Sequence, residues 1–130
     1  MRYVILALLV CLAFPSFAQE TLVGSRWQAE EIGGAGVIDR AQSRLEVLEN
    51  GRIAGNGGCN SFTGAGALRD GAVKLGALAT TRMACPPAIM DQEQKFLAAL
   101  GKAARYETTS SGGLILRDSR GATLMRFTRM

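Results

Sequence analysis

The sequence predicts an α+β domain: about eight short antiparallel strands in a curled sheet, with one helix covering its open side. Three observations carry that prediction. Short apolar–polar alternations of period two recur along the chain. Turn signals such as Asn50-Gly51 and Asp70-Gly71 separate them. After Pro86-Pro87 the apolar residues change, once, to helical spacing. No long-period repeat and no dividing linker interrupts this order.

Residues 1–18 read as a secretory signal peptide. Arg2 supplies the positive start, residues 4–14 an apolar run too short to span a bilayer, and Ser16-Phe17-Ala18 small residues at the cleavage site. The rival reading is a lipoprotein signal with Cys11 as the lipidated residue. Val10 is bulkier than the small residue expected there, and Cys11 falls early in the apolar run, so cleavage after Ala18 is preferred. The domain then covers residues 19–130 and is periplasmic or secreted.

Residues 21–32 open the domain as a half-buried strand. Trp27, Ala29 and Glu31 share one face, and Trp27, the only tryptophan, is the core anchor. Gly33-Gly34-Ala35-Gly36 breaks the alternation, and residues 37–43 form a polar connection. Residues 44–49 place Leu45 and Val47 on one face; Asn50-Gly51 predicts a type I′ turn, and residues 52–55 return. A glycine-rich stretch at 55–66 follows, surrounding Cys59. The next hairpin runs through 65–69, Asp70-Gly71 and 72–75, and a separate short strand at 78–83 leads to Cys85.

The helix presents Ile89, Met90, Phe96, Leu97, Leu100 and Ala103 or Ala104 on one face. It starts with Pro87 in its first turn or with an Asp91 cap completed by Gln94. Gly101 is its expected exit. Strands at 105–109, 114–117 and 123–129, joined by turns at 110–113 and 118–121, complete an antiparallel meander.

Histidine is absent, which removes the commonest general base and transition-metal ligand, and with it Ser–His and Cys–His nucleophiles. Two lone cysteines far apart are no zinc pattern, and the glycine-rich stretch joins strands rather than opening a helix, so it is no phosphate loop. The expectation is a non-enzyme with no catalytic residue, no cofactor and no metal. The net charge of +4 falls by one when Arg2 leaves with the signal peptide. Its basic residues are scattered among acids. That reads as solubility charge, with at most a weak pull toward anionic membrane surfaces. No basic run interleaved with aromatics is present, so nucleic acid is not an expected partner.

With Cys11 removed, Cys59 and Cys85 are an even pair in an exported chain, which predicts a structural disulfide contributing about 3.5 kcal/mol. A redox-active pair is the alternative, without a Cys-x-x-Cys arrangement to support it. Glu93 lies on or beside the apolar stripe of the helix. It is either a buried carboxylate held by amides of residues 57–60 or by Arg82, or a partly solvated residue at the stripe edge. Asn60 reads as a turn-forming residue. Arg82 and Met83 either line a cavity mouth or finish a strand.

These residues carry a resemblance. Gly-Gly-Cys-Asn-x-Phe-x-Gly at 57–64, Thr-x-Met-x-Cys at 81–85, and Glu93 followed by Phe96-Leu97-x-x-Leu100 resemble the META domain family. Leu22-Val23-Gly24-x-x-Trp27 extends the likeness. Phe62-x-Gly64-x-Gly66 is similar to the HslJ-like, heat-shock type of that family. The resemblance implies a partly open, conical antiparallel β-barrel with a packed helix, an envelope or secreted location, and a stress response. It implies no catalytic residues. Gly58, Asn60, Phe62, Gly64, Thr81, Met83 and Glu93, with Cys59 and Cys85, are expected as family scaffold. The expected function is support of envelope stress tolerance by binding a protein or a small apolar ligand. The alternatives are a structural accessory docked on another envelope protein and, more weakly, a thiol-redox enzyme.

Overall fold

A computed structural model describes residues 11–13, 22–39 and 41–130. Most of the signal-peptide reading, including its cleavage site, therefore lies outside the described residues. Nine strands and one helix are present among the described residues: β1 (Arg26–Ile32), β2 (Ala35–Gly36), β3 (Arg44–Val47), β4 (Arg52–Asn56), β5 (Ser61–Arg69), β6 (Ala72–Thr80), α1 (Pro87–Lys102), β7 (Arg105–Thr108), β8 (Gly113–Arg117) and β9 (Thr123–Arg129). All strand pairs are antiparallel, and β1 pairs with β3 on one edge and β9 on the other, bringing the sheet round into a ring. The ring is weakest at β6–β7, where a single residue pair, Ala72 with Arg105, continues the ladder.

Alternation explains why the core faces inward. Leu45 and Val47 from β3, Ile53 from β4, Phe62 and Leu68 from β5, Leu114 and Leu116 from β8, and Met125 and Phe127 from β9 are all buried. The exception is β8, where the outward Ile115 is buried too, lying in register between Glu107 and Arg126. Helix α1 closes the interior with Phe96. Its ring stands 5.8 Å from that of Phe62 and 6.3 Å from that of Phe127, both tilted as aromatic quadrupoles prefer. Trp27 is buried, donates from Nε1 to Ser25 Oγ at 2.7 Å, and lies under the Arg129 guanidinium.

Several local expectations are corrected by the structure. Glu31 does not share the face of Trp27 and Ala29. A bulge between Ala29 and Glu31 against β9 shifts the register, so Ile32 takes the inward position and Glu31 turns out to meet Arg126. Asn50-Gly51 is not a type I′ turn, because only Gly51 has positive φ. Leu48 N donates to Arg52 O and Gly51 N to Leu48 O, a three-residue loop with glycine at its left-handed position. Asp70-Gly71, by contrast, has two left-handed residues, at φ 53° and 78°, as does Gly33-Gly34.

Of the strand expected at 78–83, residues 78–80 are the end of β6, continuous with its first half across a bulge between Gly64 and Gly66 of β5, and 81–83 lie beyond the strand. Helix α1 starts at Pro87, and Ile89 N and Met90 N both donate to Pro86 O, so Asp91 is no cap. Asp91 instead pairs with Lys95 one turn on, at 2.8 Å. The helix also runs past Gly101 to Lys102, ending where Ala103 turns extended to enter β7.

Candidate functional site

The residues singled out by sequence converge on one cluster at the start of α1. Glu93 faces inward and is 4% exposed. Its Oε1 accepts from the backbone N–H of Cys59 at 3.0 Å and from that of Asn60, while Oε2 accepts from Asn60 Nδ2 at 2.8 Å. Two successive amides aimed at one oxygen form a small anion-binding concavity built into the turn. Of the two donor sets considered for Glu93, the loop amides are the observed one, and Arg82 is exposed.

Gly57 makes this approach feasible, since a Cβ there would stand 2.6 Å from Glu93 Cγ and 2.9 Å from its Oε1. Gly58 follows with φ 133°, its N–H held by Asn56 Oδ1.

Asn60 is more than a turn residue. Its Oδ1 accepts from Met83 N at 2.6 Å and from Thr81 Oγ1 at 2.9 Å, and its Nδ2 donates to Met83 O as well as to Glu93. The side chain thus uses both donors and both acceptor sites of its amide. Thr81 Oγ1 in turn accepts from Ser61 N. Cys59 and Cys85 form a disulfide across the same junction, with Cα atoms 6.0 Å apart.

Gly58, Cys59, Asn60, Thr81, Met83, Cys85 and Glu93 therefore make one clamp between a turn, the 81–86 segment and the helix. Phe62 and Gly64 stand outside it. Phe62 packs on Phe96, and Gly64 gives room to Leu78 on β6.

One member of the clamp escaped the sequence reading. Gln92, 8% exposed, accepts from Ile38 N at 2.8 Å and donates to Ala41 O and Ser43 Oγ, and Ser43 Oγ donates to Gly57 O. It ties the helix to the 38–43 loop as Glu93 ties it to the 57–60 turn. The signal was available, because Gln92 lies four residues before Phe96 on the same helix face.

The clamp fastens elements together; its polar groups are spent on one another. Replacing both Cys59 and Cys85 by Ala is expected to lower the unfolding free energy by about 3.5 kcal/mol. Denaturant melts of the variant against the parent measure it, and a loss below about 1 kcal/mol would show the disulfide to be dispensable. Among the described residues, no group of three or more His, Cys, Asp or Glu side chains is placed to hold a metal ion.

Two surface features remain outside the clamp. The first is the outer edge of β6. Val73 N donates to Ala104 O and Tyr106 N to Gly71 O, but beyond Val73 no strand among the described residues pairs with this edge. The second is a cleft of about 380 Å³ between α1 and the β1–β2 hairpin.

A nine-stranded antiparallel sheet brought round into a ring and plugged by one helix, with a disulfide and a buried carboxylate fastening the helix start, defines a small scaffold domain. A family model for the META domain matches residues 20–130, and the chain belongs to that family. Among solved structures it is similar to a protein from Burkholderia xenovorans determined by NMR, at 26% identity and TM-score 0.66, covering 84% of this chain and 83% of that one. A second NMR structure matches at 26% identity and TM-score 0.64, over 81% and 88% of the two chains. A DUF4847 family protein from Bacteroides vulgatus shares the fold, at 19% identity and TM-score 0.51, over 66% of this chain and 57% of that one. No curated protein matches the sequence.

Proposed function

We propose that this META-domain protein is of the HslJ-like type, is exported to the periplasm or beyond after cleavage near Ala18, and supports envelope stress tolerance without catalysis, by binding other polypeptides. The observation that carries the reading is the open outer edge of β6. A strand edge offers unpaired N–H and C=O groups that an extended peptide satisfies regardless of its sequence. Here the guarding charge is slight: Lys74 is followed by Gly76, Ala77, Ala79 and Thr80, all exposed. Leu75 and Leu78 on the same strand are half-buried, which leaves apolar surface beside the edge. The disulfide is compatible with an oxidising compartment, and no described helix is long and apolar enough to cross a membrane.

The test uses Thr80→Pro. Thr81 N donates to Ser61 O, so by the alternation of an antiparallel ladder the N–H of Thr80 points away from β5. Proline there removes an outward donor and keeps the β5–β6 ladder. The purified protein is expected to slow aggregation of a thermally unfolded test protein, and Thr80→Pro to lose that effect with its melting temperature unchanged. Equal protection by both, or none by the parent, would rule the edge out.

A second reading has its own observation. Met83 is 57% exposed although Asn60 holds its backbone N–H and C=O, so an apolar side chain is displayed on a rigid segment. That favours docking on one envelope protein as a structural accessory. Envelope crosslinking that captures one partner, lost in Met83→Ala and kept in Thr80→Pro, would select it. A thiol-redox role is the weakest reading, because Cys59 is buried.

A further inference from the structure

The cleft beside α1 has a chemistry of its own. Its helix wall is the stripe Lys95, Ala98, Ala99 and Lys102, spaced i, i+3, i+4 and i+7, so these residues lie along one face. Its opposite wall is Ile32 with the hairpin turn and Leu124 at the start of β9. The hairpin is fixed there by Gly33 N donating to Leu124 O at 2.9 Å, so the wall is set by the sheet. Ala98 and Ala99 are the reason for the space: where larger side chains would fill the angle between helix and hairpin, two methyl groups leave it open. The floor is therefore apolar and preformed, and a volume of about 380 Å³ falls in the range of small-molecule sites.

The rim carries charge of one sign. Among the described residues, Lys95 and Lys102 line the cleft and no Asp or Glu does. Nearby carboxylates are engaged elsewhere: Glu31 meets Arg126 at 3.4 Å, and Asp91 meets Lys95 at 2.8 Å on the solvent side. Lys102 has no ion pair among the described residues, and it sits in the last turn of α1. The Asp91–Lys95 pair is exposed on both sides and thus held weakly, so Lys95 can turn to a second anion at little cost. The two ammonium groups spring from positions about 10 Å apart along the helix, a span their flexible stems close around one head group.

We infer that this cleft binds a single-chain anionic amphiphile, a free fatty-acid carboxylate, with its head at Lys102 and Lys95 and its chain against Ile32, Ala99 and Leu124. Charge complementarity selects the head, and the apolar floor selects the chain. The site shares no residue with the β6 edge, so it stands or falls independently of polypeptide binding there.

Titration calorimetry of the purified protein with dodecanoate, and separately with dodecanol, tests the assignment. Dodecanoate is expected to bind at least tenfold more tightly than the alcohol. Lys95→Gln with Lys102→Gln is expected to remove that preference while leaving dodecanol affinity unchanged. Ala98→Trp, a change at an exposed helix position, is expected to abolish uptake of both with the melting temperature kept. No uptake of dodecanoate, equal affinity for acid and alcohol, or dodecanoate binding that survives all three substitutions would overturn the site.

Discussion

Glu93→Ala is expected to lower the unfolding free energy by about 4 kcal/mol, the largest loss from a single polar residue in this protein. The carboxylate accepts from three donors, the backbone amides of Cys59 and Asn60 and the Asn60 side chain. Removing it strands the two backbone amides where water reaches poorly and leaves Asn60 Nδ2 with Met83 O alone, and an unpaired buried donor costs about 1–3 kcal/mol. Gly57 adds to the loss, because the void left by the carboxylate adjoins a position with no side chain to collapse into it. Glu93→Gln should lose less, about 2 kcal/mol, since one amide oxygen still accepts while its NH2 group opposes the Asn60 donor. Urea melts of the two variants check this. Losses within about 0.5 kcal/mol of the parent for both would mean that the clamp carries no stability of its own.

Phe96→Ala is expected to cost a similar amount, about 4 kcal/mol, for an apolar reason. Phe96 is fully buried and meets both Phe62 and Phe127, so it is the point where the helix fills the ring. Truncation removes an aromatic from a packed interior and leaves a cavity that strands fixed by their ladders relax into only partly. In a domain of this size the melting temperature should fall by about 15 °C. Phe96→Leu should recover much of the loss, because it restores volume at the same site. Equal melting of the alanine and leucine variants would mean that the interior does not depend on filling at this position.

The two effects come from residues one turn apart on the same helix face, and they separate what a sequence exposes from what it conceals. Phe96 and Leu100 were legible as core from spacing alone, as were Leu45, Val47 and Trp27, because burial of one helix or strand face imposes a period. The pairing of Cys59 with Cys85 followed from compartment and count. Glu93 was legible only as a choice between two environments. The donors that decide it lie in a turn 33 and 34 residues earlier, and a periodicity reports which face a residue occupies without reporting what stands opposite. Gln92 was missed because a polar residue on a core face violates the pattern that reveals the core.

Turn chemistry was readable to the level of existence. Asn50-Gly51 and Asp70-Gly71 are the same kind of dipeptide, yet one closes a three-residue loop and the other a two-residue turn. The register of the flanking strands makes that choice. Likewise Glu31 alternates correctly in sequence and faces outward in space, because the bulge against β9 inserts one residue into the count. Pairing with a strand about a hundred residues away is not written in either segment separately.

Family membership, the strand-rich α+β class, the disulfide and most of the core are properties of local pattern and composition, and the chain carries them wherever it is read. The ring closure of β1 on β9, the unpaired outer edge of β6 and the lysine-rimmed cleft belong to the assembled protein. Each depends on where distant segments meet: β6 is left open because the chain spends the next segment on a helix that packs toward β1 and β9. Local propensity sets which elements form; only the closing of the sheet determines which of their edges and faces remain available.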